Sequence, residues 1–393
     1  MKLRSRSVVG LLAAMTLVSA CGGSAATTAP APATAAPATA APATAAPATA
    51  APSAEAPSAE ASGAPALAEL CTKPTVPAGT TLTVSSYGGA YQEAQRKGWF
   101  EPYAALTGVT IVESEDSANA TIKAQVESGQ VTWDVVDVGN DFGLEGNADV
   151  LEPLDYTRIP KDEILPGFAD TYRVAAITYG IVMAYRTDKF DGATPQSWAD
   201  FFDLAKFPGK RGLYDYSTGG VLEIALLADG VAPKDLYPLD VPRALAKLDT
   251  IKDSIVWWSS GAKSQEQIGS GETVMAQMWN GRAWSAKNVD SKPVEVQWNQ
   301  QLLVADYWVV PKGTPNKDQA MQFIAWMSCA NNNANVSKFI SYGPPNKFAV
   351  PDAAMAKDLA VSNLNDTTAT MNDKWLIENT ATLDQQFNDW KTK

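Results

Sequence analysis

Apolar and polar positions alternate in two different periods along residues 80–140. TLTVSS (81–86), VTIVES (109–114) and WDVVDVG (133–139) are short apolar or alternating runs, the pattern of strands. AYQEAQRKGWFEPYAAL (90–106) and NATIKAQVESG (119–129) have helical spacing, the second closing on Gly129. The order is β-α-β-α-β, which predicts a parallel α/β unit with ligands beyond the carboxyl ends of its strands. Two loops fall at such ends: Tyr87-Gly88-Gly89 with Tyr91, and Gly139-Asn140-Asp141-Phe142. Glycines there let the backbone approach a ligand or a neighbouring loop closely.

The pattern continues. AAITYGIVMAYRTDKF (175–190) reads as an apolar strand or a crossing between lobes, and a new region starts at residue 195. Ser197 stands as an N-cap with Trp198, Phe201 and Phe202 on the apolar face of the helix that follows. GGVLEIALLADG is predicted as a buried helix, and PRALAKLDTIKDSIVWW as a helix running into a strand. A strand reaches Trp279-Asn280-Gly281-Arg282. QQLLVADYWVVPKG and KDQAMQFIAWMSCA give a further strand and helix, and residues 373–393 form an amphipathic helix. Trp99, Trp308 and Trp326 are expected in the core. Over 300 residues of this composition should divide into two lobes.

The first 69 residues have a different character. Lys2, Arg4 and Arg6 precede an apolar run from Val8 to Val18, too short to span a bilayer comfortably, so residues 1–20 read as an export signal. VSAC resembles a bacterial lipobox, which implies cleavage before Cys21 and lipid on its thiol. Residues 21–69 then repeat an APATA-like unit with almost no apolar bulk, and cannot offset the entropy of folding. In polyproline II, Gly22 to Ala66 would reach up to about 140 Å, a tether that holds a folded body away from a surface.

Charge and rare residues narrow the function. The whole chain carries −12, and removal of Lys2, Arg4 and Arg6 takes it to −15. That balance argues against nucleic acid and anionic membranes and agrees with cationic ligands. Histidine is absent, which removes His-based triads and zinc helices and weakens a ferric site. Asp134 and Asp137 lie close in sequence but face opposite sides of a strand, so a hydrolase or lyase has little to build on. Cys71 and Cys329, left over once Cys21 is lipidated, favour a disulfide in an exported protein.

Several segments in order, SYGGAYQEAQRKGWFEPYAALTGVTI, QVESGQVTWDVVDV, SWADFFDLAKFPGKRG, MWNGR, ADYWVVPKGTPNKDQAMQFIAW and YGPPNK, resemble the spermidine/putrescine-type solute-binding proteins of bacterial ABC importers. The resemblance runs from about residue 80 to the end. It implies an α/β, two-lobed type II binding-protein fold with the ligand in a cleft. The expected division is 70–181 with 283–342 as lobe 1, 182–282 as lobe 2, and 343–393 as C-terminal helices packing across both.

What the resemblance implies for the cleft is a set of rings and carboxylates: Tyr87, Gly88, Gly89, Tyr91, Asn140, Asp141, Tyr179, Asp215, Tyr216, Trp258, Trp279 and Asp306. Where the family carries two further carboxylates this chain reads Ser217 and Gly220, and WNGS or WNGD becomes WNGR. Arg282 would repel a diamine and offer a carboxylate two parallel hydrogen bonds. The expected ligand is therefore a polyamine or, given Arg282, a zwitterionic ω-amino acid such as 4-aminobutyrate. The expected partners are an ABC permease and its ATPase. No cofactor, metal or nucleic acid is expected; the protein should be an extracytoplasmic monomer touching the membrane only through its lipid. A structural or adhesive lipoprotein is the rival reading; it predicts no saturable ligand binding.

Overall fold

The computed structural model describes residues 69–116 and 118–393; the expected signal, Cys21 and almost all of the tether lie outside them. Strand β1 (Thr81–Ser85) leads through Gly88 to helix α1 (Gly89–Gln95), a π-helical turn at Arg96–Phe100 and α2 (Glu101–Thr107). These three pieces form the single long helix expected at 90–106, widened by one turn at its middle. Within that turn Gly98 packs against Val336, whose Cγ2 and backbone would lie 3.0 Å from an added Cβ. Strand β2 (Thr110–Ser114), α3 (Asn119–Ser128) and β3 (Val135–Val138) complete the β-α-β-α-β unit, with α3 ending at left-handed Gly129. Strands β2 and β3 flank β1 in parallel.

Next comes β4 (Val174–Arg186), the predicted apolar crossing, buried along nearly its whole length. It is followed by α4 (Trp198–Phe202), β5 (Arg211–Tyr214), α5 (Val221–Ala228), α6 (Val241–Asp249), β6 (Ile255–Trp258), α7 (Gly261–Ser270), β7 (Met275–Trp279) and α8 (Asn280–Asn288). Ser197 holds the N-cap position of α4, but its hydroxyl makes no capping bond; the Asp200 carboxylate turns back to accept from the Gln196 amide instead. Strand β8 (Val294–Val309) is longer than the apolar run around 302–310 suggests, because its polar first half pairs with the outer part of β4. Helices α9 (Lys317–Ser328) and α10 (Ala330–Asn333), the short β9 (Ala369–Thr370) and α11 (Asp373–Lys391) close the chain.

All nine strands belong to one sheet, ordered β2-β1-β3-β8-β4-β7-β5-β6 with β9 added to β8. Its middle is the long antiparallel pair β4–β8. One parallel group lies on each side, β2-β1-β3 and β7-β5-β6. Both groups point their carboxyl ends at the same gap. Helix α11 straps the two groups together: Asp373 pairs with Arg173 and accepts from Asn140 at its start, while Trp390 donates to Asp249 near its end.

Apolar side chains cover both sheet faces, and Trp99, Trp308 and Trp326 are buried as expected. Cys71 and Cys329 form a disulfide across 258 residues. Buried among these apolar residues is one acid remote from the gap, Glu223 on α5, whose Oε1 accepts from the Tyr237 hydroxyl at 2.6 Å. Burial pushes its carboxyl up to about 7.

Two outcomes follow from these features. Replacing Cys71 and Cys329 with serine should remove about 2–5 kcal/mol from the unfolding free energy in denaturant titration, and reductant should then have no further effect. Glu223 ionises in the unfolded chain above its ordinary value while the folded chain keeps the proton. Stability should therefore fall between about pH 4.5 and 7 and level off above. Glu223→Gln should remove the Glu223 share of that slope, up to about 3 kcal/mol, in unfolding measurements across this range, leaving what other buried acids contribute.

Candidate functional site

The gap holds a cavity of about 700 Å³. Its floor comes from the central strands. Asp306 of β8 pairs with Ile177 of β4, and Tyr179 pairs with Val304, so Asp306 and Tyr179 share one sheet face and both reach the cavity. Tyr87 and Tyr91 enter from the loop after β1 and the start of α1, Tyr214 from the end of β5, Trp279 from the end of β7, and Tyr342 from the segment after α10. Their rings form a continuous cage. Tyr91 meets Tyr342 edge-on at 5.1 Å, Tyr179 lies 5.5 Å from Tyr342 and 6.2 Å from Trp279, and Tyr214 lies 5.6 Å from Trp279. Such faces attract a cation, each by about 0.5–2 kcal/mol.

The two glycines of YGG take left-handed conformations, φ 63° and 56°. A side chain on Gly88 would press on Glu115, and one on Gly89 would stand 3.0 Å from Arg282 Nη1. Arg282, 1% exposed on α8, donates from Nη2 to the Gly88 carbonyl at 3.1 Å. A Cβ on Gly261, the first residue of α7, would lie 2.6 Å from Arg282 Nε. The guanidinium is thus clamped between the starts of α1 and α7, beside Tyr91 and Tyr342. Among the described residues no carboxylate pairs with it, and burial lowers its pKa.

The acids have the mirror-image problem. Burial, and then repulsion from Asp137, raise the Asp306 carboxyl well above its ordinary range. Asp137 of β3 is fully buried; Gln95 and Ser86 donate to its Oδ2 at 2.5 and 3.4 Å, and burial pushes it up to about 7. No basic side chain among the described residues contributes to holding either acid in its charged form.

The expected site residues fall into three groups. Tyr87, Tyr91, Asn140, Asp141, Tyr179, Tyr216, Trp279 and Asp306 line the cavity. Gly88, Gly89 and Arg282 form the layer directly behind it, and Trp258 stacks on the outer face of Tyr214 at 4.3 Å. Asp215 lies beyond the end of β5 and turns to Lys391, and Ser217 turns to Asp384, both on α11. Asp141 lines the cavity, and its Oδ2 also accepts from the Tyr216 and Thr218 hydroxyls at 2.6 and 3.2 Å, joining the β3 end to the β5 end across the gap. Tyr214 and Tyr342 are the rings that sequence reasoning missed. Tyr214 is the last residue of β5 and Tyr342 lies in a loop, places where apolar periodicity does not distinguish a lining ring from a packed one.

A second recess, of about 950 Å³, runs along the start of α11. Its buried cation, Arg173, is already satisfied by Asp373 and by the carbonyls of Asn140 and Phe142. The aromatic cavity, with charges left over, is the candidate site.

A family model described as bacterial extracellular solute-binding protein matches residues 98–363. The chain is a bacterial extracellular solute-binding protein. This solute-binding protein is 38% identical to a gamma-aminobutyric acid-binding protein of Pseudomonas aeruginosa over 325 residues, covering 80% of this chain and 91% of the relative. Among solved structures, the Atu4243-GABA receptor is 40% identical with a TM-score of 0.74, covering 79% of this chain and 98% of that one. AgtB of A. tumefaciens R10, solved in complex with agropinic acid, is 35% identical with the same TM-score, covering 80% and 99%. The resemblance to spermidine/putrescine-type receptors and the two-lobed fold both hold. The protein is the small-solute-binding component of an ABC importer, and its relatives bind solutes rather than transform them.

Asp141→Ala removes the carboxylate that two hydroxyls grip across the gap. Stopped-flow binding should show bound solute leaving about tenfold faster or more, with association little changed.

Proposed function

We propose that the solute is an ω-amino acid of the 4-aminobutyrate type, held with its ammonium group at Asp306 inside the aromatic cage and its carboxylate towards Arg282. The observation that carries this reading is a pair of buried, opposite, uncompensated charges in and beside one cavity. Asp306 has no basic partner and Arg282 no acidic one among the described residues. Arg282 also lies against the first residues of α1 and α7, so an anion there would relieve a guanidinium set beside two positive helix ends. Tyr91 and Tyr342 line the cavity and act electrostatically on Arg282. The names of two relatives, a gamma-aminobutyric acid-binding protein and a GABA receptor, support the same class.

A diamine fits less well. The positions expected to carry its second carboxylate are Ser217, bonded to Asp384, and Gly220. Gly220 has φ 86°, and a Cβ there would stand 2.9 Å from Ile181 and Leu302. A carboxylate side chain is sterically barred from it.

On this reading β4 and β8 are the hinge, with 70–181 and 283–342 as one lobe, 182–282 as the other, and 343–393 packed across both. Closure presents the loaded form to a permease with its ATPase. A lipid on Cys21 keeps a monomeric receptor near its transporter at the outer face of the membrane, and the acidic body has no affinity for nucleic acid.

Arg282→Ala should weaken 4-aminobutyrate binding by 100-fold or more in isothermal titration, since a carboxylate would then be buried without its counter-charge. Equal affinity in that variant, or wild-type preference for putrescine over 4-aminobutyrate, would sink the zwitterion reading.

A further inference from the structure

Asp137 is not among the residues lining the aromatic cavity, yet it is a fully buried acid beside the proposed amine site. Strands β3 and β8 pair Asp137 with Trp308 and Val138 with Tyr307. One step further, residue 139 faces Asp306. Asp137 and Asp306 are therefore diagonal neighbours on one sheet face, roughly 7 Å apart.

The groups around them come from every neighbouring element. The β1–α1 loop contributes Ser86 and Tyr87, α1 contributes Tyr91 and Gln95, and β4 contributes Tyr179. Asp141 follows β3, and Tyr342 comes from beyond α10. The nearby cation, Arg282, lies beyond Tyr91 and Tyr342. Everything in direct reach is neutral or acidic.

We propose that Asp137, out of reach of any solute, holds Asp306 in its protonated form in the empty receptor, so that capture of an ammonium group expels a proton to solvent. This rests on the reading that the solute carries an amine. The balance is simple. The neutral carboxyl of Asp306 loses its proton to water, the carboxylate left behind pairs with the ammonium, and no other bond changes. Asp137 is a positioning residue in the electrostatic sense: its repulsion adds to desolvation in raising Asp306, and its own carboxyl titrates near neutrality. The sign follows from linkage. The solute binds the ionised form, so affinity should climb by up to about tenfold per pH unit until Asp306 ionises unaided, then level off.

The test is titration calorimetry of the full protein with 4-aminobutyrate, in buffers of different ionisation enthalpy at pH 6.5 and 8.5. Wild type should release close to one proton at pH 6.5 and fewer at 8.5. Asp137→Asn should release fewer at pH 8.5, where the wild-type Asp137 is ionised, and shift the rise in affinity to lower pH. Glu223→Gln, which removes the other acid titrating near neutrality, should leave the count unchanged. Buffer-independent heats in the wild type at pH 6.5, or an Asp137→Asn profile that overlays the wild type, would overturn the inference. Putrescine run in parallel separates the two claims: if it binds and 4-aminobutyrate does not, the zwitterion reading fails while the proton count still stands or falls on putrescine. If neither binds, both fail.

Discussion

The guanidinium of Arg282 is a permanent positive charge, 1% exposed and without an acidic partner among the described residues. Burying such a group unpaired costs several kcal/mol, and the backbone has been shaped to accept it. Gly88 and Gly89 adopt left-handed conformations so that one carbonyl can accept from Nη2 and the chain can come within contact of Nη1. Gly261 makes the same allowance on the other side. The arrangement joins α1, next to β1, to α8, after β7, so it also ties the two groups of parallel strands together.

Opposite this charge stand Asp306 and Asp137, both buried and raised by desolvation, Asp306 also by repulsion from Asp137. Between them is a wall of tyrosine and tryptophan rings, apolar enough to exclude water and electron-rich enough to face a cation. Low local dielectric sharpens both ends. A neutral solute would leave Arg282 uncompensated and Asp306 protonated, a simple cation would leave Arg282, and a simple anion would gain nothing from Asp306. Selectivity in such a site comes as much from what mismatched solutes leave unpaired as from what the right one gains.

Much of this was legible in the chain and some was not. The β-α-β-α-β start, the apolar crossing at 175–190 and the amphipathic C-terminal helix all follow from period and capping. The YGG glycines and Arg282 stood out because their residue types are conspicuous for their setting. Their mutual contact, bridging nearly 200 residues, is a tertiary fact with no local signature. Asp215 misleads because a strand-end aspartate looks the same in sequence whether it faces the cavity, as Asp141 does, or a helix lysine. Asp137 hides for another, since a buried acid inside VVDV reads as one more strand residue.

The geometry also explains why closure and recognition are hard to separate here. Asp141 reaches from the end of β3 to hydroxyls at the end of β5, and Arg282 reaches from α8 to the loop after β1. Each link crosses the gap and each ends within a residue or two of a cage ring: Asp141 meets Tyr216 itself, and Arg282 meets the carbonyl beside Tyr87. A solute that seats its two charges correctly therefore steadies the same side chains that hold the halves together. A solute that fits only one end leaves a strained, unneutralised group at a closure contact. The differential free energy between open and closed forms then depends on both ends of the solute at once, which is what a receptor must report to a transporter.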